Sequence, residues 1–139
     1  NLVGVARLVD GLLPRLAPTG IVAVLSSETA RTPRWGLVPY AASKAALEAV
    51  LAGLRLEHPG VRVSCAVAGA TQPTEFGARF TGEQLRPAMA DWSRRGLFQE
   101  AMMATDEVAA VLLDVYATAL RNPGVGIEEI VLRSPSPLA

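Results

Sequence analysis

Two short stretches decide the fold: Gly20-Ile-Val-Ala-Val-Leu-Ser-Ser27 and Pro39-Tyr-Ala-Ala-Ser-Lys44. The first is a continuous apolar run after the turn residues Pro18-Thr19-Gly20, the pattern of a strand buried on both faces of a parallel sheet. It leaves Ser26 and Ser27 at the carboxyl end. The second opens a helix, because Pro39 suits a first turn, where its missing N–H costs nothing. Tyr40 and Lys44 are four residues apart and therefore share a helix face, with Cβ atoms about 5–6 Å from each other. Ser27 precedes Tyr40 by thirteen residues, and Lys44 is the only lysine among the thirteen basic residues. A chain that otherwise supplies arginine has a compact ammonium here, which can approach a phenol and a ribose hydroxyl where a guanidinium would not fit.

Outward from these stretches the chain alternates helices and strands. Residues 2–16 carry apolar groups at Val5, Val9, Leu12 and Leu16 and a second apolar face at Leu2, Leu8 and Leu13, which predicts a helix covered on two sides and ended or kinked by Pro14. The helix begun at Pro39 runs over 40–56. Its small residues, among them Ala41, Ala45, Ala49, Ala52 and Gly53, predict a sheet on one side and a subunit contact on the other. His58-Pro59-Gly60 stops it, and 61–67 reads as a second strand. Residues 69–104 mix glycine, proline and short amphipathic pieces bearing Phe76, Phe80, Trp92 and Phe98, the setting of a substrate lid or, alternatively, an ordinary irregular connection. Thr105 is expected to cap a further helix whose first turn holds Asp106 and Glu107 and whose face carries Val108, Leu112, Val115 and Ala119. Asn122-Pro-Gly124 ends it, 127–133 is a final strand, and 134–139 is a loose tail. Strand, helix, strand, helix, strand is a doubly wound α/β pattern.

Composition narrows the function classes. The chain has 139 residues, half of them apolar, which is one domain's length with material for a core. Thirteen acids balance thirteen bases with no arginine stripe, which argues against nucleic acid and anionic membrane as partners. The single cysteine, Cys65, excludes an intrachain disulfide and fits a cytoplasmic setting, and one cysteine with one histidine argues against zinc. No apolar stretch approaches the roughly 20 residues of a membrane span, and no signal peptide opens the chain.

The order of the motifs adds a resemblance. Asn1-Leu-Val-Gly4, the strand ending in Ser27, Tyr40-x-x-x-Lys44 and a second strand leading to Gly69 together resemble the C-terminal half of the short-chain dehydrogenase/reductase family, over essentially all 139 residues. The resemblance implies a Rossmann-like doubly wound parallel sheet from which the N-terminal nucleotide-binding half is missing. Nothing here corresponds to the Gly-rich turn that seats a pyrophosphate on a helix N-terminus, so a fragment is expected. Two departures stand out: Ala68-Gly69 replaces the family's Pro-Gly, and the following threonine appears as Thr74, one residue late.

The family chemistry, carried residue by residue, makes Tyr40 the general acid of reduction and the base of oxidation. A free phenol titrates near 10, and a neighbouring ammonium such as Lys44 favours the ionised form. The resemblance also implies that Lys44 binds ribose hydroxyls, that Ser27 donates to the substrate oxygen, and that Asn1 helps hold a water in a proton relay. Gly69, Ala70 and Thr71 or Thr74 would face the nicotinamide of NADP or NAD. The implied activity interconverts a secondary alcohol and a carbonyl of small or medium size, in a homodimer or homotetramer formed through helices 2–16 and 40–56. Without the resemblance, Ser26 and Ser27 read as strand-end turn residues, Tyr40 as a helix aromatic and Lys44 as a surface cation. Rival readings are a non-catalytic assembly module of the same fold and an epimerase or dehydratase using the same Tyr/Lys pair. A serine hydrolase built on Ser27 and His58 is disfavoured, since Gly-x-Ser-x-Gly is absent.

Overall fold

The structure is a computed structural model that describes residues 1–78, 80–97 and 99–135. In chain order the elements are α1 (Val3–Leu12), β1 (Ile21–Ser27), α2 (Val38–Glu57), β2 (Arg62–Ala68), β3 (Thr71–Gln72), α3 (Glu75–Ala78), α4 (Gly82–Arg94), β4 (Met103–Ala104), α5 (Thr105–Arg121) and β5 (Glu129–Leu132). Single 3-10 turns at Leu13–Arg15 and Glu28–Ala30 follow α1 and β1.

β1, β2 and β5 form a parallel sheet in the order β1-β2-β5. Ile21 pairs with Arg62 and the register runs without slip to Ser27 opposite Ala68, while Cys65 through Ala68 pair with Glu129 through Leu132. Paired residues share a face, so the pleat sends Val22, Val24, Val63, Cys65 and Val67 to one side. There they meet Val9 of α1 and Leu47 and Leu51 of α2 in the main apolar cluster. Leu47 and Leu51 are 0% and 1% exposed, and each such leucine contributes roughly 1.5–3 kcal/mol of burial energy. On the other side, Ser64 Oγ lies 3.0 Å from Tyr116 Oη, and Arg62 Nη1 donates to the Ala119 carbonyl at 2.7 Å, which places α5 on the opposite face. Helices thus cover both faces, the doubly wound arrangement expected from the element order.

Several local expectations need correction. β1 is not buried on both faces: α5 reaches β2, and Ala23 and Leu25 remain exposed. Among the described residues, α1 is covered on one side. Leu2, Val5, Val9 and Leu13 pack on the core, at spacings of three and four residues, and Leu8 and Leu12 face outward. The two apolar faces read from the sequence therefore exchange members, with Leu12 on the open side and Leu2 and Leu13 on the packed one. α2 starts two residues earlier than read, and its alanines at 42, 45, 49 and 52 are exposed.

The segment between β2 and α5 is closed at its base by the parallel pair β3 and β4, with Thr71 opposite Met103. Within it α4 begins with a capping box, Thr81 and Gln84 bonding each other's backbone N–H. Ala88 and Trp92 of α4 bury themselves against Leu37, with Phe80 and Leu97 packed around them. Thr105 does not cap α5, because Ala104 holds that position and the Thr105 hydroxyl donates to the Pro73 carbonyl at 2.8 Å, pinning the start of α5 to the β3 loop. The final strand is shorter than read, Glu129–Leu132. Phe98 and residues 136–139 of the tail lie outside the described residues. Among the described residues no helix is long and apolar enough to cross a membrane.

Candidate active site

A helix joining two parallel strands runs antiparallel to them, so the start of α2 lies at the edge where β1 and β2 end. The sheet-facing stripe of α2 passes through Leu51, Leu47 and Lys44 to Tyr40, continuing the core contact to the carboxyl edge of the sheet. Gly36 prepares this start: its φ of +80° closes the turn in which Leu37 N–H donates to the Arg34 carbonyl at 3.0 Å. That left-handed backbone suits glycine and strains any side chain.

Lys44 is half-buried and its Nζ donates to the Leu25 carbonyl at 2.7 Å, two residues before Ser27. Burial pushes its ammonium below the usual lysine value. One of three N–H donors is thereby taken, and the others remain for a ligand. Tyr40 packs its ring against Phe76 of α3, with centroids 4.7 Å apart, and Phe76 in turn meets Phe80 at 5.5 Å. The Tyr40 hydroxyl makes no hydrogen bond to the described residues.

The two serines part company. Strand alternation puts Ser26 on the α2 face, where it is 3% exposed and its Oγ donates to Glu48 Oε1 at 2.6 Å. Ser27 is tied only locally. Its Oγ accepts from Thr29 Oγ1 at 2.9 Å and from Thr29 N–H at 3.3 Å, so its own proton is uncommitted among the described residues. Ser26 is thus tied into the α2 face, while the Ser27 hydroxyl keeps its proton available among the described residues.

Asn1 is exposed and reaches α2 through Ser43, donating from Nδ2 to Ser43 Oγ at 3.3 Å, while Ser43 Oγ donates to the Tyr40 carbonyl at 2.7 Å. It touches the helix turn that carries Tyr40 and Lys44 and makes no bond to Lys44 itself. Gly69 extends β2 into the β5 neighbourhood, its N–H donating to the Leu132 carbonyl at 2.9 Å. A Cβ there would sit 3.2 Å from that carbonyl, a tight contact that a side chain could make only if the neighbouring strand gave by a few tenths of an ångström. Thr71 Oγ1 donates back to the Gly69 carbonyl at 3.0 Å, the Ala70 carbonyl accepts from Met103 N–H at 2.9 Å, and Thr74 is exposed. The structure thus brings Ser27, Tyr40 and Lys44 to one edge of the sheet, with Gly69 through Thr71 following the adjacent strand end.

Two groups were missed in the sequence. Glu48 lies one further turn along the Tyr40–Lys44 stripe, accepting from Ser26 and from Arg31 Nε at 3.1 Å, and the i+4 spacing from Lys44 is the signal that could have found it. Glu28, directly after Ser27, is 8% exposed and ion-paired to Arg34. Its position beside a site serine was the available clue.

Residues 1–84 match the short chain dehydrogenase family, a span that holds every site residue named above. The chain belongs to the short chain dehydrogenase family. No curated protein matches it. Among solved structures, an alcohol dehydrogenase of the archaeon Thermococcus sibiricus, complexed with 5-hydroxy-NADP, aligns with TM-score 0.73 and 24% identity over 96% of this chain and 50% of its own. A short-chain dehydrogenase/reductase of Brucella melitensis gives 0.66 and 23% over 93% and 50%. A short-chain dehydrogenase of Sphingobium yanoikuyae in complex with NADPH gives 0.61 and 22% over 91% and 43%. At these identities the likeness is one of fold. This short chain dehydrogenase sequence spans about half the length of those structures.

Proposed function

We propose that the chain supplies the substrate-side half of a nicotinamide-dependent oxidoreductase that interconverts a secondary alcohol and a carbonyl. The observation that carries this reading is the state of three side chains at one sheet edge: a serine and a tyrosine whose hydroxyl protons are uncommitted among the described residues, and a half-buried lysine anchored to the strand that ends in that serine. The cofactor is NADP or NAD, and two structural neighbours are complexes with NADPH or an NADP derivative. The donor set fits such a group, because Lys44 keeps N–H donors for ribose hydroxyls. Gly69, Ala70 and Thr71, with Thr74 beyond them, line the approach to its nicotinamide end.

When bound, the nicotinamide supplies the hydride. Ser27 donates to the carbonyl oxygen, where negative charge develops in reduction. Tyr40 gives its phenolic proton to the same oxygen and, in oxidation, takes it back. Lys44 holds the ribose and stabilises negative charge on the Tyr40 oxygen. Asn1, with Ser43, steadies the first turns of α2 and offers a polar group for a water in the proton path. The insert 69–104 closes over the substrate, with Phe76 and Phe80 as its apolar wall beside Tyr40. The intact protein associates as a homodimer or homotetramer through α1 and α2, on which Val3, Leu8, Leu12, Val38 and Leu56 are exposed.

The test is turnover of the intact protein with NADPH or NADH and a panel of aldehydes and ketones, followed by nicotinamide absorbance. Tyr40→Phe should lose about 100- to 10,000-fold in turnover, the range for a general acid, while nicotinamide binding measured by fluorescence is retained. Unchanged turnover in that variant overturns the assignment.

A further inference from the structure

Glu28 begins the 3-10 turn immediately after Ser27 and is buried, a place where glutamate is found only when paired. A neighbour six residues on and two segments distant in sequence meet at its carboxylate. Arg34, itself 9% exposed, donates from Nη2 to Glu28 Oε1. Arg133, just past β5, places its Nε 3.4 Å from Oε2. Gly69 backs against the same Oε2, since a Cβ built there would lie 3.4 Å from it and 3.4 Å from Gln99 Oε1.

Two of these contacts reach into the insert. The Arg34 guanidinium stands 5.8 Å from the Trp92 ring centroid, within cation–π range, and Trp92 Nε1 donates to the Trp35 carbonyl at 3.0 Å. Gln99, 5% exposed, donates from Nε2 to the Ser134 carbonyl at 3.0 Å. α4 and the return toward β4 are therefore both held against groups that converge on Glu28.

We infer that Glu28 is a positioning residue that couples the docked state of the insert 69–104 to the placement of Ser27. The carboxylate fixes Arg34, Arg34 seats Trp92 and with it α4, and the same carboxylate fixes the turn that carries the serine hydroxyl. Substrate closing the insert then meets a serine already in place, and an insert that lifts away loosens the serine's turn. The inference rests on Ser27 being the donor to the substrate oxygen.

The experiment uses the intact protein with Glu28→Gln, which keeps the side-chain shape and removes the charge, and Arg34→Lys, which keeps the charge and removes the planar fork. Hydrogen exchange is read separately over 82–97 and over 27–31, alongside KM for a carbonyl that the protein reduces and KM for the cofactor. In Glu28→Gln, exchange should quicken on the order of tenfold or more in both segments, as local opening becomes easier, with carbonyl KM raised and cofactor KM unchanged. In Arg34→Lys, exchange should quicken over 82–97. Wild-type exchange over 82–97 in either variant, or a uniform rise across the whole chain with carbonyl KM unchanged, overturns the coupling. If Glu28→Gln fails to fold, Arg34→Lys decides by the same readout. Ser27→Ala separates the two readings: it should lower turnover about 100- to 1,000-fold with exchange over 82–97 unaltered. Retained turnover there would remove the serine's role without touching the exchange result.

Discussion

Adjacent serines at the end of β1 should fail in opposite ways when each is changed to alanine. Ser26 is buried and donates to a carboxylate at 2.6 Å. A hydrogen bond to a charged acceptor contributes about 1.5–3 kcal/mol, so Ser26→Ala should lower the unfolding free energy by about that amount. Glu48 keeps Arg31 on its other oxygen, so no charge is stranded and the loss should not exceed that range. Among the described residues Ser27 accepts only from Thr29, two residues on, and its removal should cost about 0.5–1.5 kcal/mol. Turnover reverses the order. Loss of a donor aimed at developing oxyanion charge lowers the rate about 100- to 1,000-fold, equivalent to about 2.7–4 kcal/mol in the barrier, whereas Ser26→Ala leaves the donor intact. Urea unfolding and steady-state kinetics on the intact protein read both quantities. A Ser27→Ala variant with wild-type kcat/KM would refute the assignment of Ser27. A Ser26→Ala variant of unchanged stability and reduced turnover would show that the two roles had been exchanged.

Leu51→Ala removes a fully buried leucine between α2 and the sheet and should cost about 2–5 kcal/mol in urea unfolding, with a loss under 1 kcal/mol contradicting the packing described. Glu129 is held below the usual carboxylate range by the Arg31 guanidinium, so its contribution is present above about pH 4.5 and is lost as pH falls through the depressed value. Because the pair is 46% and 41% exposed, Glu129→Gln should flatten the acid limb of stability by no more than about 1 kcal/mol, and a steeper acid limb would contradict it. Lys44 has its folded pKa lowered by burial, so the unfolded chain binds more protons in the window below 10.5 and stability rises with pH there. The stability of the wild type relative to Lys44→Met should therefore increase toward pH 10.5, and a flat difference would show that the ammonium is not desolvated.

The sequence exposed those features whose physical cause is local. Gly20 through Ser27 had to be a strand because an apolar run bounded by turn residues offers little else, and Tyr40 with Lys44 had to share a face because of helix geometry. The faces of α1 were harder to read. Apolar residues on all sides of a helix do not say which side meets a neighbour, and only packing on β1 and α2 separates Leu2, Val5, Val9 and Leu13 from Leu8 and Leu12. Thr105 looked like a helix cap because threonine caps helices, but the tertiary bond to the Pro73 carbonyl took its hydroxyl. Glu28 and Glu48 escaped notice for a related reason. A glutamate carries no signature of burial, and except for Arg34, six residues from Glu28, the partners Arg133, Arg31 and Ser26 come together only once the sheet is assembled.

The face of α2 that builds the core also carries the residues of the proposed site. Leu51 and Leu47 anchor the helix to β1 and β2, Glu48 bonds Ser26, Lys44 bonds the Leu25 carbonyl, and Tyr40 ends the stripe beneath Phe76. A site carried on a loop could shift by an ångström at little cost, but Tyr40 cannot move along the sheet without dragging buried leucines out of register. The lysine is where the two demands conflict, since its burial disfavours the charge that the proposed chemistry needs. The single lysine, bonded at 2.7 Å to the strand that ends in Ser27, fits the proposed site, where its remaining N–H donors are available to a ligand.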